Sequence, residues 1–517
     1  MLVHEFLACS ARAKPEAIAV VQGKRRVSYE YLDRRADEIA VYLFRRGFKK
    51  GDRAGVCIDN SLEYLLAYFG ILKAGGVVVP FSIQMGWRGI RKIIDDCRPT
   101  ALFVQENVLQ HARDAMCEGC SIADIVVVNP NERERSLSRP QTDFPSTVAL
   151  RNMIGIEVGV VADWTPGVIR EEDLALILYT SGTTGSPKGV MLSHRNLSSN
   201  AHSIVQYLNL TPHDKVLVVL PFFYSYGNSL LTTHVLAGGT LVIGENFVYP
   251  NLVLEQLVAE EVTGFSGVPT TFAILLHRSN IRRYQFPKVR YMTQAGGAMP
   301  PKHALELKQI LPGVDIFIMY GQTEASARIT FLEPGEIIRK AGSIGKAIPG
   351  VEVFIKREDG SEADVGERGE LVASGSNIME GYWNDPEGTA RVLKPDGLHT
   401  GDMAWRDEES FLYVVGRKSE MIKSGAHRIS PREIEEIILE VPGVHEVAVI
   451  GEKDEVLGES ITAFVVIKEG AYLADKEILY YCKKNLPPFK IPKRILFSDH
   501  LPKTNSGKVK KHDLLCR

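Results

Sequence analysis

Eleven residues, Tyr179–Gly189 (YTSGTTGSPKG), bring together three glycines, the hydroxyls of Thr180, Ser181, Thr183 and Thr184, and the ammonium of Lys188. Glycines such as Gly182 and Gly185 allow consecutive backbone N–H groups to turn toward one point, and the hydroxyls and the lysine add donors and positive charge. That is the chemistry of a loop wrapped around a polyphosphate. It is not the Walker A arrangement, because Pro187 stands where that pattern has glycine before lysine. The plainer reading is a connecting loop, since stretches rich in Ser, Thr and Gly also serve as linkers. Further along, an apolar run ends in Tyr320, Gly321, Gln322, Thr323 and Glu324. It offers a ring for stacking on a flat heterocycle and one carboxylate for a hard cation. Core packing for Tyr320 and a solvated loop for Glu324 are the bland alternatives. Asp402, beside the turn residue Gly401, reads as a cap or a polar ligand, and Lys508 lies in KTNSGKVKKHD, which taken alone is a solvated charge run.

The order of residues carries more than their types. Tyr179–Gly189, Tyr320–Ser326 (YGQTEAS), His399–Asp402 (HTGD), Gly416–Glu433 (GRKSEMIKSGAHRISPRE) and Pro502–Lys508 (PKTNSGK) follow one another, with KAGGVVVPFS at Lys73–Ser82 ahead of them. In these runs the sequence resembles the AMP-forming adenylating superfamily of acyl-CoA synthetases, peptide-synthetase adenylation domains and firefly-type luciferases, and the resemblance spans nearly the whole chain. It implies that ATP and a small-molecule carboxylic acid form an acyl-adenylate with release of pyrophosphate, and that the acyl group then passes to the thiol of CoA. The alternative acceptor is the phosphopantetheine arm of an acyl or peptidyl carrier protein. The cofactors implied are ATP, Mg2+ and CoA or that arm. A luciferase-like oxygenase and a non-catalytic adenylate-binding protein are the other readings on this scaffold. No residue pattern identifies a luciferin, and retention of Lys508, Glu324 and the loop Thr180–Lys188 argues against the second.

The resemblance assigns Thr180, Ser181, Gly182, Thr183, Thr184, Gly185 and Lys188 to the phosphates. It assigns Tyr320 to the adenine face, with Gly296, Gly297 and Ala298 as the opposite wall and Gly321 and Gln322 alongside. Thr323 would reach the α-phosphate, Glu324 would hold Mg2+, Asp402 would accept from the ribose hydroxyls, and Arg417 would contact ribose or phosphate. Lys508 would bridge the attacking carboxylate and the α-phosphate. A compact cation there offsets the charge gathering at phosphorus in a site sheltered from water, a contact whose loss typically costs about 10²–10³ in rate.

The same resemblance implies a C-terminal domain that turns between two poses, one per half-reaction. Ser419 would be the hinge, where relatives usually carry Asp or Lys. Gly416–Pro431 would line the thiol channel, with Lys423 as a contact. Ala426 follows Gly425 where many CoA ligases have glycine, and its methyl narrows the expected pantetheine channel. Tyr224, in LPFFYSYGNS (Leu220–Ser229), stands where many acyl-CoA synthetases carry histidine, as a gate between acid pocket and thiol channel. The expected acid-pocket lining is Tyr224, Ser225, Val268, Thr271, Gly296 and Gly321. No Asp or Glu occurs between Val216 and Gly244, and a buried ammonium without a partner is costly. The acid expected is therefore one without an α-amine: a fatty, aryl or modified acyl group.

Positioning these residues takes strands that end at the loops. Leu174–Tyr179, Val216–Leu220, Thr240–Ile243, Gly264–Gly267, Tyr291–Gln294 and Ile316–Met319 are predicted strands. Upstream, Ser28–Arg46 and Leu62–Ala74 have helical periodicity, and Arg53–Ile58, Val77–Pro80, Ala101–Val104 and Ile125–Val128 read as strands. Such alternation predicts an α/β fold with mainly parallel sheets. Asn129–Arg170 reads as a connection. After Gly342, short strands at Val351–Lys356, Gly369–Ala373 and Phe411–Val415 predict a small β-rich subdomain. Helices Glu433–Leu439 and Lys476–Asn485 with strands Val444–Gly451 and Ser460–Ile467 predict a small α+β domain. The expected organisation is a large N-terminal domain, 1–418, with its β-rich subdomain at about 342–418, and a mobile C-terminal lid, 419–517, carrying Lys508.

A chain of 517 residues is too long for one compact core. With 61 Lys and Arg against 63 Asp and Glu, the net charge of −2 gives no electrostatic footprint for nucleic acid or an anionic membrane. Val216–Gly244 lacks charged residues, but Pro221, Gly227, Asn228, Gly238 and Gly239 interrupt it, so no membrane span is expected. The seven cysteines form no framework, and the start MLVHEFLACSARAKPEA lacks a signal-peptide pattern; both point to the cytoplasm.

Overall fold

The structure is a computed structural model that describes residues 1–116, 121–129, 146–153, 167–181, 187–244, 247–424, 427–454, 458–503 and 509–514. The alternation of helices and strands resolves into two large sheets. In the nine-stranded sheet, Ile18–Gln22, Thr240–Ile243, Lys215–Val218, Gly264–Gly267, Tyr291–Gln294 and Asp315–Tyr320 lie side by side and parallel. Antiparallel strands cover its edges: Arg25–Ser28 on one side, Thr330–Leu332 and Lys346–Ala347 on the other. In the eight-stranded sheet, Leu174–Ser181, Val77–Pro80, Arg53–Cys57, Ala101–Gln105, Asp124–Val128 and Ser146–Ala149 are parallel. Pro187–Ser193 and Gly381–Tyr382 extend it antiparallel.

The physical basis is visible strand by strand. Val77–Pro80, Thr240–Ile243 and Tyr291–Gln294 are buried at every position, as strands covered on both faces must be. Helix Leu62–Lys73 is likewise buried along its whole length, the mark of a helix that meets protein on all sides. One apolar core runs from Val3 to Leu412 and takes in both large sheets together with Val351, Ile355, Leu371 and Leu398 of a third, antiparallel sheet. The strands after Gly342 are therefore anchored to the same body. The fourth sheet, built from Ile422–Ser424, His427–Ile429, Val444–Asp454, Gly458–Ile467 and Arg494–Phe497, has a separate core with helices Pro431–Leu439 and Asp475–Asn485.

Three features differ from the sequence expectation. The connection Asn129–Arg170 contains an edge strand, Ser146–Ala149, and a turn, Leu150–Met153. Four residues paired only with Asp124–Val128 are too few to show a period. The segment after the glycine-rich loop returns as strand Pro187–Ser193, so the loop closes a hairpin in which Thr180 faces Lys188. The loop expected at Leu220–Ser229 is already helical from Ser225, in helix Ser225–Ala237.

Candidate active site

A cavity of about 450 Å³ opens at the carboxyl ends of Tyr291–Gln294 and Asp315–Tyr320, the edge at which open α/β sheets receive ligands. Gly296, Gly297 and Ala298 line one wall, and Tyr320 and Gly321 another; Val268, Asp402 and Arg417 also reach it. The turn at Gly296 has φ +82°, and a Cβ there would come within 3.2 Å of the Val268 side chain. Across the opening stand Arg432, Glu435, Val447, Ala448, Val509 and Lys511. The cavity is thus a cleft between the large body and the fourth sheet.

Asp402 is 6% exposed and already held on both oxygens. The Tyr320 hydroxyl donates to Oδ2 at 2.6 Å, and Arg417 Nε donates to Oδ1 at 2.8 Å. Neighbouring strands Gly397–Arg406 and Leu412–Arg417 pair Asp402 directly with Arg417, so the sheet register fixes the ion pair. Burial pushes the Tyr320 phenol up, and the Asp402 carboxylate adds to that, so Tyr320 remains a donor. A carboxylate has about four acceptor positions, which leaves room for further hydroxyl donors.

A second cluster lies at the foot of the hairpin. Tyr179 donates to Asp96 Oδ2 at 2.6 Å and ties down the end of the first strand. Lys188 Nζ is 2.9 Å from Asp385 Oδ2 and 4.6 Å from the centre of the Tyr382 ring. The Tyr382 hydroxyl donates to Glu324 Oε1 at 2.8 Å. Tyr382 therefore links the lysine of one motif to the carboxylate of another. Thr323 and Glu324 share the turn Thr323–Ala325, after Gln322, and Thr323 Oγ1 lies 3.4 Å from Ser225 Oγ.

Other expected residues sit elsewhere or outside the described positions. Tyr224 is the N-cap residue of helix Ser225–Ala237, with its ring 4.4 Å from that of Phe223, and burial raises its phenol. Thr271 is buried in helix Pro269–Arg278, beside the cleft but not on its surface. Lys423 is exposed on Ile422–Ser424, away from the cleft; its backbone N–H donates to Glu459 Oε2 at 2.6 Å. Ser419 lies in the turn Lys418–Glu420 that joins strand Leu412–Arg417 to the fourth sheet. Gly182, Thr183, Thr184, Gly185, Gly425, Ala426 and Lys508, and the side chain of Ser181, lie outside the described residues.

Sequence reasoning missed Tyr382 and Asp385. Their signal was GYWNDPEG (Gly381–Gly388), an aromatic pair in a turn-rich run that reads as punctuation until strand Gly381–Tyr382 docks on Pro187–Ser193. It also missed Lys511, whose Nζ is 2.7 Å from Glu435 Oε1 on the far wall. Among the described residues no group of three or more His, Cys, Asp or Glu side chains could hold a metal ion. No helix among them is long and apolar enough to cross a membrane.

Residues 7–383 match the family of AMP-binding enzymes, and residues 433–508 match the C-terminal domain of those enzymes. The chain belongs to the AMP-binding enzyme family. This AMP-binding enzyme is 32% identical over 510 residues to a long-chain-fatty-acid–CoA ligase of Salmonella typhimurium, covering 94% of this chain and 89% of the relative. It is 32% identical over 514 residues to an indoleacetate–CoA ligase of Aromatoleum aromaticum, covering 99% and 98%. Its fold superposes on ATP-bound MatB from Rhodopseudomonas palustris with a TM-score of 0.88 at 28% identity, over 99% of this chain and 98% of that one. The α/β fold with a smaller C-terminal unit, and the class of AMP-forming acid–thiol ligase expected from the motifs, are borne out.

Proposed function

We propose that this protein joins a carboxylic acid to the thiol of CoA through an acyl-adenylate, with ATP as co-substrate and pyrophosphate as leaving group. The observation that carries the reading is the meeting of distant motifs. Tyr320, Asp402 and Arg417 converge on one cleft, and Lys188 and Glu324 are bridged beside it by Tyr382. Both curated relatives are named as CoA ligases, which supports CoA as acceptor, and no observation favours a carrier protein. The acids in their names, a long-chain fatty acid and indoleacetate, lack an α-amine, which supports the same class here.

In this reading Tyr320 and Gly296–Ala298 take the adenine between them, and Asp402 accepts the ribose hydroxyls with Arg417 holding its orientation. The hairpin loop takes the phosphates, with Lys188 at its return, and Thr323 faces the α-phosphate. Lys508, two residues before Lys510 and three before the cleft residue Lys511, supplies the cation between acid and phosphorus. Glu324 fits Mg2+: the Tyr382 O–H fixes one carboxylate oxygen, and a hard cation needs only one or two carboxylates when phosphate oxygens and water complete its shell. Mg2+, when bound, supplies charge neutralisation at the departing pyrophosphate. The organisation 1–418 and 419–517, with Ser419 at the pivot, belongs to the same proposal. So does a thiol channel formed by Lys423, Gly425 and Ala426 once the fourth sheet turns. Tyr224 and Ser225 stand at its acid side.

The test is incubation of purified protein with ATP, Mg2+, a panel of carboxylic acids, and either CoA or a phosphopantetheinylated carrier. AMP, pyrophosphate and an acyl-CoA thioester are expected. Absence of AMP with every acid refutes adenylation, and thioester on the carrier alone reverses the acceptor.

A further inference from the structure

Strand Gly381–Tyr382 runs through a short turn into helix Pro386–Val392. That turn is tied to the hairpin at several points. The backbone N–H of Trp383 donates to the Gly189 carbonyl at 2.7 Å, one residue beyond Lys188. The Trp383 indole N–H donates to the Asp96 carbonyl at 3.1 Å, and Asn384 Nδ2 donates to Asp96 Oδ1 at 3.1 Å. Asp96 also accepts from Tyr179, in the first strand of the hairpin. The turn therefore brings Asp385 beside Lys188 through contacts that do not depend on the ion pair itself.

The two oxygens of Asp385 have different partners. Oδ1 accepts from the Gly388 N–H at 2.7 Å and caps helix Pro386–Val392. Oδ2 lies 2.9 Å from Lys188 Nζ. The Lys188 ammonium, with the Gly388 N–H, holds the carboxyl below its usual range, so it is ionised. The Tyr382 ring lies under the same ammonium, its centre 4.6 Å away. An ammonium carries three donors. Among the described residues Nζ meets only this carboxylate and this ring, which leaves donors for a ligand.

A lysine loses much rotamer freedom when its ammonium is fixed on a ligand. A neighbour that fixes it beforehand removes that cost from binding. The two side chains are 24% and 32% exposed, and ion pairs of that kind add little to stability, so the pair matters for where Lys188 is held. We propose that Asp385 is a positioning residue: its Oδ2 holds the Lys188 ammonium at the return of the hairpin, so that the phosphates of ATP meet a cation already in place. The inference rests on the adenylation reading above, in which Lys188 meets the phosphates, and adds the residue that places it. A single carboxylate serves both ends, capping the helix with one oxygen and holding the lysine with the other.

Asp385→Asn separates the two roles. Asparagine caps a helix as well as aspartate does, but its one oxygen is then used and its NH2 cannot accept from the ammonium. The experiment is a double-mutant cycle on the Kd for ATP with Mg2+, read by equilibrium titration in the wild type, Asp385→Asn, Lys188→Met and the double variant. Asp385→Asn is expected to raise Kd about five- to tenfold, the share of a lysine's rotamer freedom that a half-buried pair holds. Loss of a negative charge beside the phosphates would by itself tighten ATP, so a weakened Kd reports position and not charge. In the Lys188→Met background the same change is expected to leave Kd unchanged or lower it. An unchanged or lowered Kd in Asp385→Asn alone overturns the proposal, and so does equal weakening in both backgrounds. Should Asp385→Asn fail to fold, Asp385→Ser, which also caps and is too short to hold Lys188, takes its place with the same outcomes. Weakening that tracks a loss of thermal stability in both variants makes Asp385 a cap only and likewise overturns the proposal. A wild type that yields no AMP with any acid overturns the adenylation reading, whereas a failed cycle with AMP still formed overturns the role of Asp385 alone.

Discussion

Replacing Tyr382 by phenylalanine removes one oxygen and leaves the ring in place. The ring is 8% exposed and lies beneath Lys188 at 4.6 Å, and both features survive the change. What is lost is the O–H donated to Glu324 at 2.8 Å. Hydrogen bonds to charged groups are worth about 1.5–3 kcal/mol net. Glu324 is only half-buried, so water can replace the lost donor, and the low end, about 1.5 kcal/mol, applies. That corresponds to roughly a tenfold effect. If Tyr382 orients the carboxylate that holds Mg2+, the effect falls on the metal. Acid-dependent ATP–pyrophosphate exchange, measured across a Mg2+ titration, should show half-saturation raised about tenfold with the KM for the acid unchanged. The reasoning fails if the Mg2+ dependence is that of the wild type. It fails equally if the variant loses thermal stability in step with activity, which would make Tyr382 a packing residue.

Lys508→Ala should lower exchange by about 10²–10³ while ATP still binds, as read by equilibrium titration; full exchange would reject the assignment of that lysine. Gly321→Ala places a Cβ 2.0 Å from the Ala327 carbonyl oxygen, so the cleft wall must shift; adenylation should be lost with a destabilisation of about 1–3 kcal/mol in urea unfolding. His234 is fully buried, with Nδ1 3.0 Å from the Leu230 carbonyl oxygen and Nε2 2.9 Å from the Tyr291 hydroxyl, and burial lowers its pKa to about 4. The folded chain resists the proton that the unfolded chain takes up near about pH 6.5, so this contribution is complete above that pH and is lost as the pH falls toward about 4. The unfolding free energy should decline across that window, with His234 contributing on the order of 3 kcal/mol beside the other histidines whose pKa burial lowers, and His234→Gln should make the decline shallower by about that amount.

Much of the scaffold was legible in the residues. Thr240–Ile243, Gly264–Gly267 and Tyr291–Gln294 stand where they were predicted and are buried at every position, their polar members being paired inside the fold, Ser266 Oγ with Thr293 Oγ1 at 2.7 Å and Gln294 Nε2 with the Gly297 carbonyl at 2.8 Å. Two residues of the cleft were legible too. Asp402 and Arg417 became candidates by motif order, and the paired strands then set them opposite each other. Lys423 was picked out by its motif, and strand Ile422–Ser424 holds it outside the cleft in this arrangement.

The sequence by itself determined that this chain alternates helix and strand, carries a run rich in glycine and hydroxyls with one lysine at Tyr179–Gly189, and has a small α+β unit after its large one. Local spacing and local propensity suffice for each. Only the tertiary structure decided that Tyr382 stands between Lys188 and Glu324, and that Lys511 faces the cleft. Those facts arise from contacts between residues far apart along the chain. A single sequence carries no record of which distant side chain removes water from a charge, and that removal is what gives the charge its effect.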